Sequence, residues 1–221
     1  MINVKKFVVN DYQECTHVVS DDTGEAIIID CGVFKPGERR RLIEYIDGKQ
    51  LRPVRLLMTH AHVDHAYGND LIHEHYGLLP EVHEGDKVLM TRVLPQRLDE
   101  LFHPYPYPVP MPEHYLVDGE VITFGNHSLQ VIHVPGHSPG SAVFYCADEG
   151  VAFTGDTLMS LWIGRWDLIF GSEVDLCMSL RRLAETLPDD TVIYPGHYNK
   201  STMAKVKVRN RDFRYMCGLK F

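Results

Sequence analysis

The chain has no run approaching the roughly 18 consecutive apolar residues of a membrane-spanning helix. Its first residues, MINVKKFVVNDYQEC, carry two lysines but no sustained apolar stretch behind them, which argues against a secretory signal. Positive charge is scarce: 22 basic residues stand against 30 acidic ones, a net charge of −8. Without a basic stripe to release counterions from phosphates, nucleic acid is not an expected partner. The one late basic cluster, KVKVRNRDFR, reads as a solvated helix face. Cysteine is sparse and odd in number, with Cys15, Cys31, Cys146, Cys177 and Cys217 and no CxxC spacing, so these read as reduced, mostly buried thiols. No serine-nucleophile motif is present. These absences leave a cytoplasmic protein as the default expectation, with no nucleic-acid or membrane partner expected.

What is present is ordinary globular material, 44% hydrophobic and 24% charged over 221 residues, enough for one large domain. KKFVVN, THVVS and AIIID are β-branched strands. KPGERRRLIEYIDGKQ follows with Leu42, Ile43 and Ile46 at helical spacing. VRLLMTH is a strand apolar on both faces, and EGDKVLMTRVLPQRLDELF is a helix disturbed at Pro95. HPYPYPVPMPEHY, with five prolines in thirteen residues, cannot be regular structure. It divides the chain near residues 103–113 into two similar halves of one domain spanning residues 1–221. HYLV opens the second half, and a last helix begins at about Thr202.

The chemistry begins at THAHVDH. In an extended backbone His60 and His62 project to the same side, and the turn into the next helix can bring Asp64 and His65 to the same cleft. VPGHSPGS, FTGDTL and YPGHY then place His137, Asp156 and His197, each after a strand-like run. Loops at strand ends are where a rigid scaffold usually carries a site. Five histidines and two aspartates from four loops can satisfy two metals if one aspartate bridges. Imidazole with carboxylate suits zinc, iron or manganese.

THAHVDH, PGHSPGS, TGDTL and YPGH, in that order, resemble the metallo-β-lactamase superfamily, and IIIDCG is similar to its early strand ending in Asp-x-Gly. GDTLMSLWIGRWDL and LPDDTVIYPGHYNKSTM look like the glyoxalase II (hydroxyacylglutathione hydrolase) branch. The resemblance implies an α/β (α+β) fold, a four-layer αββα sandwich of two pseudo-repeated halves. It implies two Zn²⁺, one held by His60, His62 and His137, the other by Asp64, His65 and His197, with Asp156 bridging. Asp64 and Asp156 would belong to the catalytic centre, and Asp30 would stand behind the ligands and brace their loop. A hydroxide bridging the two metals would cleave a small thioester or ester, and a thiolate, of pKa near 8.5, leaves without a strong general acid. Full-length glyoxalase II enzymes add a C-terminal helical domain that helps grip glutathione; this chain stops soon after His197, so that domain is expected to be missing. Arg165 falls at the basic glutathione-contacting position, but Asp167 stands where a tyrosine is often found, and Arg165 could instead form a structural salt bridge. The proline-rich segment could be a lid supplying Tyr105 or Tyr107, or an inert connector. Trp162 and Trp166 are expected to be packed inside. Alternative activities within the superfamily are a mononuclear-iron persulfide dioxygenase, a lactonase and a phosphodiesterase.

Overall fold

The β-branched runs near the N-terminus pair as antiparallel strands β1 (Asn3–Val9), β2 (Glu14–Ser20) and β3 (Glu25–Ile29), in a computed structural model that describes residues 1–219. Helix α1 (Pro36–Gly48) crosses to β4 (Arg52–Leu57), parallel to β3, and α2 (Asn69–Tyr76) crosses to β5 (Pro80–His83), parallel to β4. Pro36 opens α1 where no backbone amide is needed, and the Glu38 carboxylate accepts from the amides of Phe34 and Lys35. The disturbance expected at Pro95 is a π-helical turn, Leu89–Val93, leading into α3 (Leu94–Phe102). Proline has no amide for an i−4 bond and its ring crowds that carbonyl, so the wider turn absorbs the mismatch.

The change of sheet falls later than the proline-rich segment. Strand β6 (Tyr115–Leu116), expected to open the second half, runs parallel to β5 and closes the first six-stranded sheet, in order β1-β2-β3-β4-β5-β6. The second sheet holds β7 (Val121–Phe124), β8 (His127–His133), β9 (Ala142–Cys146) and β10 (Val151–Gly155). After α4 (Glu173–Thr186), strands β11 (Val192–Pro195) and β12 (Ser201–Thr202) complete it, in order β12-β11-β10-β9-β8-β7. The single final helix expected from Thr202 is two, α5 (Met203–Arg209) and α6 (Arg211–Cys217). They break at Asn210, whose side chain accepts from the Phe213 amide and donates to the carbonyls of Met159 and Trp162. The basic stretch is therefore not merely a solvated face, because Val206, Asn210 and Phe213 turn inward from it.

Alternation along the strands builds the layers. Ala26 and Ile28 of β3 face Leu42 and Ile46 of α1 and Ile72 of α2. Ile27 and Ile29 face the other way and meet Phe124, Leu129, Phe144 and Phe153 of the second sheet. Val143 and Ala152 turn outward onto Leu176 and Leu180 of α4 and Phe213 of α6. Helices, two sheets and helices thus stack as four layers, with strands buried on both faces, as their near-continuous apolar runs require. No helix among the described residues is long and apolar enough to cross a membrane.

Candidate metal centre

Strands β3, β4, β10 and β11 all end at one edge of the sandwich, and each hands its chain to the same point. β4 runs into Thr59, His60 and His62, then a short 3₁₀ turn, Val63–His65, which swings Asp64 and His65 inward. The loop after β8 brings His137, β10 ends at Asp156, and β11 ends at His197. Gly196 is required by close approach: a Cβ there would strike Asp156 Oδ1 and His65 Cε1.

The seven residues expected from the sequence meet as two groups. His60, His62 and His137 have ligating nitrogens within 4.8 Å of one another, as do the ligating atoms of Asp64, His65 and His197. His137 Nε2 lies 2.9 Å from His62 Nδ1 and 3.2 Å from His60 Nε2. Asp156 lies between the groups, 3.3 Å from His197 Nε2, 3.6 Å from His65 Nε2 and 3.8 Å from His137 Nε2. Asp64 Oδ2 is 3.3 Å from His197 Nε2.

The surroundings decide which ring nitrogen faces inward. A carbonyl can only accept, so His137 Nδ1 donates to Arg165 O at 2.7 Å and His197 Nδ1 to Tyr12 O at 3.1 Å. Their Nε2 atoms therefore face the site. Asp30 is buried with its backbone in the left-handed region, φ 52°. It accepts from the Thr59 amide and hydroxyl, both at 2.7 Å, and from His65 Nδ1 at 3.1 Å. The Thr59 hydroxyl, having given its proton to Asp30, accepts from His60 Nδ1 at 3.0 Å. One carboxylate thus orients two of the imidazoles. Buried His65 Nε2 and Asp156 Oδ1 have no hydrogen-bond partner. Orphaned buried donors and acceptors are costly, and these two point into the gap that a cation would fill, so the residues fit a divalent metal.

Charge splits the cluster. Burial pushes His60 well below the ordinary histidine range and His62 down to about 3. Burial acts in the same direction on His65 and His197, but carboxylates outweigh it. Asp64, Asp30 and Asp156 hold His65 well above its usual value, and Asp156 and Asp64 raise His197 to about 10. In return His65 and His197 overcome burial and hold Asp156 well below the usual carboxylate range.

Two buried acids behind the site carried no recognisable spacing in the sequence. Asp86, in HEGDK, accepts from the Ala61 amide at 2.8 Å, the Ser138 hydroxyl at 2.8 Å and the Gly140 amide at 2.5 Å. It ties the His60–His62 loop to the His137 loop. Glu14 is fully buried, with Oε1 unpartnered and 3.9 Å from His65 Nδ1. Cys31, considered for a metal or redox role, is buried and its thiol is raised by that burial.

A cleft of about 810 Å³ opens over the cluster. Arg165 and Trp162 line it, so Trp162, 54% exposed, is not the packed side chain expected, while Trp166 rests against the second-half core. Tyr105 and Tyr107 are not among the residues lining the cleft. The Tyr105 hydroxyl donates to Tyr67 O at 3.0 Å, its ring packs on Phe34 and Phe102, and Tyr107 lies under the Arg39 guanidinium. Aromatic packing has drawn the proline-rich segment aside.

The sequence profile of the Metallo-beta-lactamase superfamily matches residues 11–197. The chain belongs to this superfamily. A hydroxyacylglutathione hydrolase, GloC, of Haemophilus influenzae is 31% identical over 210 residues, covering 95% of this chain and 97% of the relative. Among superfamily structures, the BLEG-1 B3 metallo-beta-lactamase superposes with a TM-score of 0.84 at 29% identity, covering 96% of this chain and 99% of that one. TTHA1623, described in a di-iron-bound form, gives 0.82 at 30% identity over 95% and 100%.

Proposed function

We propose that the protein is a dinuclear metal-dependent hydrolase of small thioesters, resembling hydroxyacylglutathione hydrolases. The observation that carries the reading is the meeting of two donor groups on either side of Asp156 at the floor of one cleft. His60, His62 and His137 would hold one cation, Asp64, His65 and His197 the other, and Asp156 would touch both. Two such cations acidify water toward neutral pH and polarise a carbonyl oxygen. The chain's own part is positional. Asp30 and the carbonyls of Arg165 and Tyr12 aim the imidazoles, and Asp64 and Asp156 supply the negative charge that balances the cations. A thiolate needs no strong acid to leave.

The donor set, imidazole and carboxylate without thiolate, suits zinc and also iron. His60, His65 and Asp156 form a two-histidine, one-carboxylate group of their own within 4.8 Å, the pattern of non-haem iron sites. That favours a second reading, an oxygen-using activity on a thiol persulfide with iron bound. A cytoplasmic location belongs to the same proposal, supported by five unpaired cysteines, which suit a reducing compartment. The test is a panel of S-lactoylglutathione, other acyl thioesters, a lactone, a β-lactam and a phosphodiester, run on protein of measured metal content. Thioester turnover by the zinc form is expected. Oxygen uptake with glutathione persulfide by the iron form, and no hydrolysis by the zinc form, would replace the first reading with the second.

A further inference from the structure

We infer that the substrate is an uncharged thioester with an extended apolar arm, and that a ligand bearing several carboxylates is discriminated against at the cleft wall; this rests on the thioester-hydrolase reading above. Two observations carry it. The first is the wall itself. Beside Tyr12 and Tyr198, its apolar part is built of Val93 and Leu94, where the π-helical turn passes into α3, and of Trp162, Ile163, Leu168 and Ile169 from the segment after β10. Trp162 and Ile169 are 54% and 55% exposed, an unusual state for such large apolar side chains grouped at one opening. An exposed apolar patch inside a concave site marks where an apolar ligand group is covered.

The second observation concerns charge. Apart from histidines, Arg97 and Arg165 are the only cationic residues among those described as lining the cleft. Both are already engaged from within their own segments. Arg97 Nη1 donates to Glu100 at 2.7 Å. Arg165 donates Nε and Nη2 to the two oxygens of Asp167, each at 2.9 Å, a two-pronged pair. That fork is the geometry with which arginine grips a carboxylate of a ligand. Here Asp167, tethered two residues away, occupies it, and a ligand carboxylate must displace it while meeting the negative charge of Asp167 and Glu100 nearby. The guanidiniums are thus neutralised flanks of an apolar channel, and binding is driven by the buried arm.

The test uses calorimetry on the metal-loaded full chain with non-hydrolysable thioethers: S-propyl to S-hexyl derivatives of N-acetylcysteamine, which are neutral, and the same alkyl series on glutathione. The neutral series is expected to bind more tightly at every length, with dissociation constants falling roughly three- to fourfold per methylene until the wall is covered. Asp167→Ala, exposed and away from the core, should improve the glutathione series relative to the neutral one by about three- to fivefold, the worth of an exposed ion pair. Tighter binding of the glutathione series by the wild-type protein, no dependence on arm length, or an unchanged ratio in Asp167→Ala would overturn the inference. Matched acyl thioesters are assayed in parallel. If the binding pattern appears and none of them is hydrolysed, the hydrolase reading fails while the ligand class stands.

Discussion

His60, His62 and His137 on one side of Asp156, and Asp64, His65 and His197 on the other, are prepared for a cation in opposite ways. The first group is all imidazole, and burial keeps His60 and His62 uncharged, with lone pairs ready. The second is half carboxylate by influence, and its histidines are held protonated by Asp30, Asp64 and Asp156. A cation entering the first group displaces the 2.9 Å contact between the His62 and His137 rings but meets His60 and His62 already neutral; one entering the second must drive protons off His65 and His197. Their supports differ as well. Asp86 clamps the loops of the first group, whereas Asp30 braces His65 of the second directly and reaches His60 of the first only through the Thr59 hydroxyl. On the proposed assignment, one cluster of similar residues would serve as two sites with different proton costs.

The comparison breaks most severely at its shared member. Asp156→Asn is expected to weaken both cations and to lower thioester turnover by more than about 100-fold, the upper end for groups that merely support a ligand. Metal analysis after dialysis together with kcat/KM checks it; retention of two tightly held cations would show that Asp156 does not join the groups. Next come the supports. Asp86→Asn should cost about 10- to 100-fold in affinity at the three-imidazole group, and Asp30→Asn a similar factor at the other. A two-step chelator competition should show the larger change in a different step for each variant, with a smaller change in the three-imidazole step for Asp30→Asn through Thr59 and His60; equal changes in the same step would erase the distinction between the supports.

Proton bookkeeping sharpens the contrast further. Loading of the carboxylate-rich group should release more protons than loading of the other, because His65 and His197 are raised while His60 and His62 are lowered. Affinity at the first of these should therefore rise as pH climbs from 7 toward 10, the value to which His197 is raised. Calorimetry in buffers of different ionisation enthalpy measures the release. The smallest effect isolates burial from metal chemistry. His17 sits edge-on between Phe153 and Tyr194, fully buried, and burial lowers it to about 3. Its folded value lies below its unfolded one, so its contribution to stability is complete above about 6.5 and is lost as pH falls from there toward 3. Each pH unit in that window removes about 1.4 kcal/mol. His60 and His62 add to the acid slope of the metal-free protein, so the difference in urea-unfolding slope between wild type and His17→Phe reads the share of His17; an unchanged slope in the variant would place the acid sensitivity elsewhere.

Much of the fold is legible in the sequence because strands buried on both faces write themselves as runs such as AIIID and VRLLMTH, and because Pro95 announces where helix is disturbed and the proline-rich stretch where it must stop. The places that misled are those where a side chain answers to distant partners. Asn210 breaks the last helix to satisfy the carbonyls of Met159 and Trp162. Tyr115 and Leu116 pair backward into the first sheet. Tyr105 leaves the site for Phe34 and Phe102.

The sequence alone determined which residues could act as donors, since the offsets within THAHVDH and the strand-end positions of His137, Asp156 and His197 are properties of the chain. Tertiary structure alone decided how they are tuned. Asp86 and Glu14 have no local signature, and the protonation of His65 or the neutrality of His62 follows from carboxylates and burial contributed by segments far along the chain. Ligand identity is written in spacing, whereas charge state depends on distance and desolvation, which exist only once the layers have closed.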